Sequence, residues 1–244
     1  MVCYPVYLEV VEGGPCLAHV LDLPGCVLRA EGSEEALSRL PEAIVEYHDW
    51  LRRHGEPAPP ATEPVEIEVA GESRGFGPFD PGDAAALFPP DRTPLTREEM
   101  QRYFRLMGHS RADLLALVRD LPEQVLDWRP TAESFSIRQV LRHVGNAEQW
   151  YVSRLVPPET LPPEWQDDER LPVMAFLDME RRTAVARLSQ LSEAECATVC
   201  YPTCWTSHPE EPWTARKALR RFVEHEREHT VQVREIVGLR GCHA

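Results

Sequence analysis

Lysine is almost missing from this chain: Lys217 is the single one among 26 basic residues. So strong a preference for arginine reads as a coding bias, and no function is drawn from it. Also missing is any apolar run near the roughly 18 residues that a spanning helix needs, so no membrane-crossing segment is expected. The opening MVCYPVYLEVVEGG has neither a basic start nor an apolar stretch with a cleavage site, so no signal peptide is expected and the cytoplasm is the expected location. There is no Cys-x-x-Cys pair either. Seven cysteines are an odd number in 244 residues, a length that can bury a core without a disulfide framework. Cys196, Cys200 and Cys204 are evenly spaced, but Pro202 breaks any helix that would align them, and they read as incidental thiols.

What is present is an ordinary globular composition, 43% hydrophobic and 27% charged, at a length that suggests two domains. The net charge of −14 is uneven. Residues 1–92 hold 17 acidic and 6 basic side chains, net −11, whereas residues 93–244 hold 23 and 20, net −3. The first segment repels a polyanion, so non-specific nucleic-acid binding is not expected.

The first 70 residues read as a small α+β domain. Tyr4 to Val11, Cys16 to Leu23 and Cys26 to Ala30 have strand composition, with turns at Gly13-Gly14 and Pro24-Gly25. Ser33-Glu34-Glu35 then opens a helix whose apolar face carries Ala36, Leu37, Leu40, Ile44, Tyr47 and Leu51, and Gly55 stops it. Val65 to Val69 alternates apolar and acidic residues, the pattern of an edge strand. This segment resembles the HicB-like antitoxin domain in Tyr4-Pro5-Val6, in Asp22-Leu23-Pro24-Gly25-Cys26, and in Gly32 with Glu34-Glu35-Ala36-Leu37. The resemblance implies a small sheet with one helix, used to bind a protein partner or a second copy of the chain. The DNA-binding segment that often follows it in antitoxins is absent here.

Residues 71–93 contain Gly71, Gly75, Gly77, Pro78, Pro81, Gly82, Pro89 and Pro90 and read as a linker, with Asp83 to Phe88 packing onto one of the domains. Residues 94–240 give four amphipathic helices and no strands. The first opens on Thr96 and Glu99 in a capping box, the second on Ser136 and Gln139, the third near Pro172, and the fourth follows Pro212-Trp213-Thr214 and runs to Gly238. That pattern predicts a four-helix bundle.

The fourth helix carries His225-Glu226-Arg227-Glu228-His229. Histidines at i and i+4 stand one turn apart on one face, so both imidazoles can reach one ion. Helical phase aligns them with Ala218, Phe222, Gln232 and Ile236 on the inward stripe, and puts Arg220, Arg227, Arg234, Glu224 and Glu228 on the solvated side. Glu226 falls within the apolar arc and therefore requires a partner: the metal, a water on it, or an arginine from another helix. H-E-x-x-H is also the zinc peptidase signature. Only 15 residues follow His229, so a third ligand comes from upstream, where His143 is the best candidate and His109 a weaker one.

The second half is similar to the DinB/YfiT-like family of metal-binding four-helix proteins. The similarity rests on His143 in Leu141-Arg142-His143-Val144-Gly145-Asn146-Ala147-Glu148-Gln149-Trp150-Tyr151, and on His225 and His229 in the run from Leu219 to Gln232. It implies a zinc or nickel ion held by His143, His225 and His229. It also implies a small-molecule substrate, a thiol-dependent S-transferase or isomerase activity using a low-molecular-weight thiol, and Glu226 as proton acceptor or as a group that orients a ligand imidazole. A non-catalytic interaction protein with a structural metal is the alternative, and a homodimer is compatible with either.

Overall fold

A computed structural model of the chain describes residues 2–11, 14–74, 86–162, 165 and 170–242, the last two by backbone alone. The chain divides into two compact units, Met1–Pro90 and Asp91–Ala244.

The first unit is a mixed four-stranded sheet with one helix. Strands β1 (Val2–Val10), β2 (Cys16–His19) and β3 (Val27–Ala30) precede helix α1 (Ser33–Arg53), and β4 (Val65–Arg74) closes the unit in the order β3-β2-β1-β4. Consecutive strands β1, β2 and β3 pair antiparallel, and β4 returns parallel to β1 on the edge. Gly25 sits at φ 97°, the left-handed conformation that the turn before β3 demands. Helix α1 has Gly32 at its N-cap and no side-chain cap, but the Glu35 carboxylate accepts from the Glu31 backbone N–H at 3.1 Å. Its buried face is Ala36, Leu40, Ile44, Tyr47, His48, Trp50 and Leu51. Burying side chains of this size is worth about 1.5–3 kcal/mol each, which is what holds the helix on the sheet.

One glycine of the expected linker, Gly71, is a strand residue, and Gly75, Gly77 and Gly82 lie outside the described residues. β4 continues to Arg74, and its register with β1 shifts between Val6↔Val69 and Tyr7↔Gly71. A Cβ at Gly71 would meet the Tyr7 ring at 3.2 Å, a tight contact that favours glycine at this bulge. Beyond the residues that are not described, Ala86 and Phe88 pack against Tyr7, and the Ala86 N–H donates to the buried Glu9 carboxylate at 3.1 Å. The part of the expected packing stretch at 83–85 lies outside the described residues.

The second unit is a helical bundle. Its long helices are α2 (Arg97–Val118), α4 (Ile137–Ser153), α5 (Val173–Ser189) and α7 (Ala215–Cys242), with short α3 (Glu123–Leu126) and α6 (Glu193–Ala197) between them. The capping boxes at Thr96/Glu99 and Ser136/Gln139 are both formed, and a third, Ser192/Glu195, opens α6. Helix α4 packs on α5 and α7, and α2 packs on α7. Leu114, Val118, Ile137, Val140, Leu141, Val144, Val173, Leu177, Val233 and Ile236 make the core at one end. Gly145 lets α4 and α5 approach closely, since a Cβ there would stand 2.3 Å from the Phe176 ring.

One expectation about α7 is corrected. Arg220 and Glu224, assigned by phase to solvent, are buried. The bundle starts at Asp91, earlier than the sequence suggested, and both Asp91 carboxylate oxygens accept from Arg220 at 2.9 Å. Thr214 donates to the Asp91 carbonyl at 2.7 Å, and Glu224 accepts from Arg220 and Arg221 at 3.0 and 2.7 Å. A segment lying over the first half of α7 thus buries its polar face. Arg227 and Glu228 stay half-buried and Arg234 exposed.

Candidate metal centre

Helix geometry brings the three named histidines together. One helical turn separates His225 from His229 on α7, and His143 faces them from the middle of α4, so the α4–α7 contact closes the group. The Nε2 atom of His225 lies 3.0 Å from Nε2 of His143 and 3.0 Å from Nε2 of His229. One ligand atom from each residue falls within a 4.8 Å sphere of separations, and among the described residues this is the group of His, Cys, Asp and Glu side chains with that property. His109 is outside it.

Three nitrogens at about 2.05 Å from a tetrahedral zinc stand about 3.3 Å apart; the two separations from His225, 3.0 Å each, lie close to that, and all three ligand atoms stay within 4.8 Å of one another. The donor chemistry fits one small cation. Three Nε2 atoms packed at this distance cannot all be satisfied by donating protons to one another, whereas three lone pairs directed at one ion are. His225 and His229 are buried, while His143 is exposed, which leaves the group open to solvent on the α4 side. Burial, reinforced by the facing His143, pushes His229 down to about 4, so its imidazole is neutral at physiological pH, as a ligand must be. Its Nδ1 pairs with the Gln232 side-chain oxygen at 2.7 Å. Tyr151 stands beside His225 with ring centroids 5.8 Å apart.

Glu226 has the third of the partners expected for it. Its carboxylate accepts from Ser110 Oγ and Arg111 Nε at 2.5 Å each, and from Arg181 Nη2 at 2.9 Å. Both arginines also bind Glu148, Arg181 Nη2 at 2.8 Å. The remaining arginine N–H groups reach the Leu177 and Met107 carbonyls. Burial would raise the Glu226 carboxyl, but the two guanidinium charges and the Ser110 hydroxyl outweigh it and hold the group at about 2. Arg111, Glu148, Arg181 and Glu226 come one each from α2, α4, α5 and α7.

Sequence reasoning missed this network, although a signal was present. Arg111 sits in the stripe Met107–Leu114–Val118, Glu148 in Leu141–Val144–Val152, and Arg181 in Leu177–Ala184–Leu188; the apolar residues, Arg111 and Glu148 are buried and the Arg181 side chain is 12% exposed. A charged residue at a core position of each helix is the pattern of mutual partners. Burial raises the thiols of Cys196 and Cys200, and neither is in the three-histidine group.

Comparison with known proteins places this arrangement in a family. No curated protein matches the chain. A solved chain described as YfiT from Bacillus subtilis, a probable metal-dependent hydrolase with an unusual four-helix bundle topology, aligns at 18% identity with a TM-score of 0.46, covering 61% of this chain and 91% of that one. The model of the DinB superfamily matches residues 107–233, a span that contains the three histidines and all four members of the buried ion network. That span is more than half of the 244 residues, and the chain belongs to the DinB superfamily.

Proposed function

We propose that the bundle is a metal-dependent enzyme acting on a small molecule, with a divalent ion, zinc or nickel, held by His143, His225 and His229. The observation that carries this reading is the convergence of three Nε2 atoms at 3.0 Å steps with one of the three imidazoles at the surface. A divalent ion held by three neutral imidazoles keeps its full charge, and so makes a thiol or water that reaches it acidic near neutral pH. The chain's own residues supply the rest. His225 and His229 fix two donors on a buried helix face, and His143 provides the third from the side where a substrate approaches. Tyr151 closes the apolar side next to His225.

The finer reading, taken from the family resemblance, is S-transfer or isomerisation with a low-molecular-weight thiol as cosubstrate. The first unit serves in this reading as a HicB-like interaction module for a protein partner or a second copy. Glu226 is not used as the base here. Two guanidiniums and a hydroxyl occupy its oxygens, and a carboxyl held at about 2 is a weak proton acceptor at pH 7. The same contacts weigh against a zinc peptidase, which needs that glutamate free.

Elemental analysis of the purified protein, combined with a thiol-transfer screen, tests the reading. About one metal per chain is expected, with His143→Ala, His225→Ala and His229→Ala each losing it and His109→Ala keeping it. Full metal retention by His143→Ala overturns the ligand set. Bound metal that neither exchanges nor responds to thiols favours the structural alternative.

A further inference from the structure

His229 is a ligand candidate whose second ring nitrogen has a visible partner. Its Nδ1 lies 2.7 Å from Oε1 of Gln232, one turn further along α7. A carbonyl oxygen accepts only, so this contact requires a proton on Nδ1. The neutral ring then has its lone pair on Nε2, the atom 3.0 Å from His225 Nε2. Without the carboxamide the ring is free to take the other tautomer, with the proton on Nε2, and the nitrogen facing the other two histidines becomes a donor instead of a ligand.

We propose that Gln232 is the positioning residue of the three-histidine group, fixing the tautomer and the rotation of His229 so that Nε2 is presented to the cation. This rests on the metal-centre reading above but makes a separate claim about the ring itself. The geometry suits the task. Position 232 is three residues from 229, the separation at which helix side chains meet, and the glutamine is long enough to reach back along the turn. It is half-buried, so water competes only in part for the contact. Val233, next along the chain, is fully buried in the bundle core and holds that turn of α7 in place. Partners of this kind change metal affinity by about 10–100-fold when removed.

The test uses the full chain in two states. In the metal-free protein, nitrogen-15 NMR of the histidine rings reports the tautomer of His229. In the same preparation, competition against a chelator reports the zinc dissociation constant. The wild type is expected to show His229 protonated at Nδ1. Gln232→Ala is expected to lose that preference and to bind zinc tenfold or more weakly. Gln232→Glu, which keeps an acceptor oxygen, is expected to retain both the tautomer and the affinity. Thermal unfolding of the metal-free variants separates positioning from bulk stability, since a merely structural glutamine lowers the melting temperature and leaves tautomer and affinity unchanged. That result overturns the proposal. So does an unchanged tautomer in Gln232→Ala, whatever its zinc affinity. Failure of the wild type to bind zinc or nickel, with the Nδ1 tautomer intact and lost in Gln232→Ala, overturns the metal centre and leaves the positioning contact standing.

Discussion

Removing one charge from the buried network is the sharpest perturbation the bundle offers. Glu226→Gln keeps the shape and one acceptor oxygen but leaves two guanidiniums, Arg111 and Arg181, facing the single carboxylate of Glu148. All four groups are at most 12% exposed, so the surplus positive charge is shielded only weakly by solvent. Breaking a buried pair from one side costs about 3–5 kcal/mol, because the partner charge stays buried and uncompensated. For a unit of this size each kcal/mol moves the melting temperature by roughly 2–4 °C, so Glu226→Gln is expected to melt about 6–20 °C lower than the wild type. Since a domain is stable by only about 5–15 kcal/mol in total, the variant stands near the limit of folding at 37 °C. Restoring the balance with Arg181→Met in the same chain should return part of the loss, with a coupling of roughly 0.5–3 kcal/mol in the double-mutant cycle. Calorimetry at pH 7, with metal content and turnover measured on the folded fraction, distinguishes the two roles that Glu226 can have. A melting temperature within about 2 °C of the wild type, together with lost turnover, would refute the bracing role and restore Glu226 as a base.

Acid should act through the same group. Its carboxyl is lowered in the fold from the ordinary 4.5 to about 2, so the stability it contributes is complete above about pH 4.5 and is lost as pH falls towards 2; Glu226→Gln should flatten that part of the stability-against-pH curve, and an unchanged slope counts against the assignment. Gly145→Ala forces a methyl onto the Phe176 ring and is expected to cost about 1–3 kcal/mol by overpacking, read in urea unfolding, where a neutral result would mean that α4 and α5 can separate freely. A fragment starting at residue 89 should fold as a helical unit, whereas one starting at residue 93 lacks Asp91 and strands Arg220 with Glu224. The shorter fragment is expected to be less stable by about 3–5 kcal/mol, and equal stability would show that Asp91 is dispensable.

Much of the bundle was legible because its signals are local. The capping boxes at Thr96/Glu99 and Ser136/Gln139 depend on residues three apart, and the i,i+4 histidines depend on one helical turn. What escaped depends on residues far apart in sequence. Helical phase put Arg220 and Glu224 in solvent because a count of apolar positions on α7 cannot register that Asp91, 129 residues away from Arg220, lies over them. Gly71 looked like linker for a similar reason: its meaning is set by the Tyr7 ring on the neighbouring strand, not by the glycines and prolines that follow it. His143 was named from resemblance and phase together; it lies beside His225 and His229, and its exposure was not foreseen. The arginines at 111 and 181 were readable only as partners still to be identified, once Glu226 was known to be buried.

The ion network and the histidine group share α7, and that is where their physical connection lies. Apolar residues packed between helices hold them together but allow small rotations about the helix axis, since one aliphatic contact replaces another at little cost. Hydrogen-bonded ion pairs do not allow this. Glu226 must meet Arg111 from α2 and Arg181 from α5 at once, and each guanidinium is held in turn by Glu148 on α4 and by a backbone carbonyl. A rotation of α7 by a quarter turn would take Glu226 away from Ser110, Arg111 and Arg181 together. It would also carry His225 and His229, the residues immediately before and three after Glu226, away from His143. Charges that contribute modestly to net stability in a core therefore have a second effect here, which is to fix the azimuth of the helix that presents two of the three imidazoles. This accounts for the otherwise unfavourable burial of four ionised groups in one bundle. It also implies that charge-neutralising changes in the network should loosen the three-histidine group before they unfold the protein.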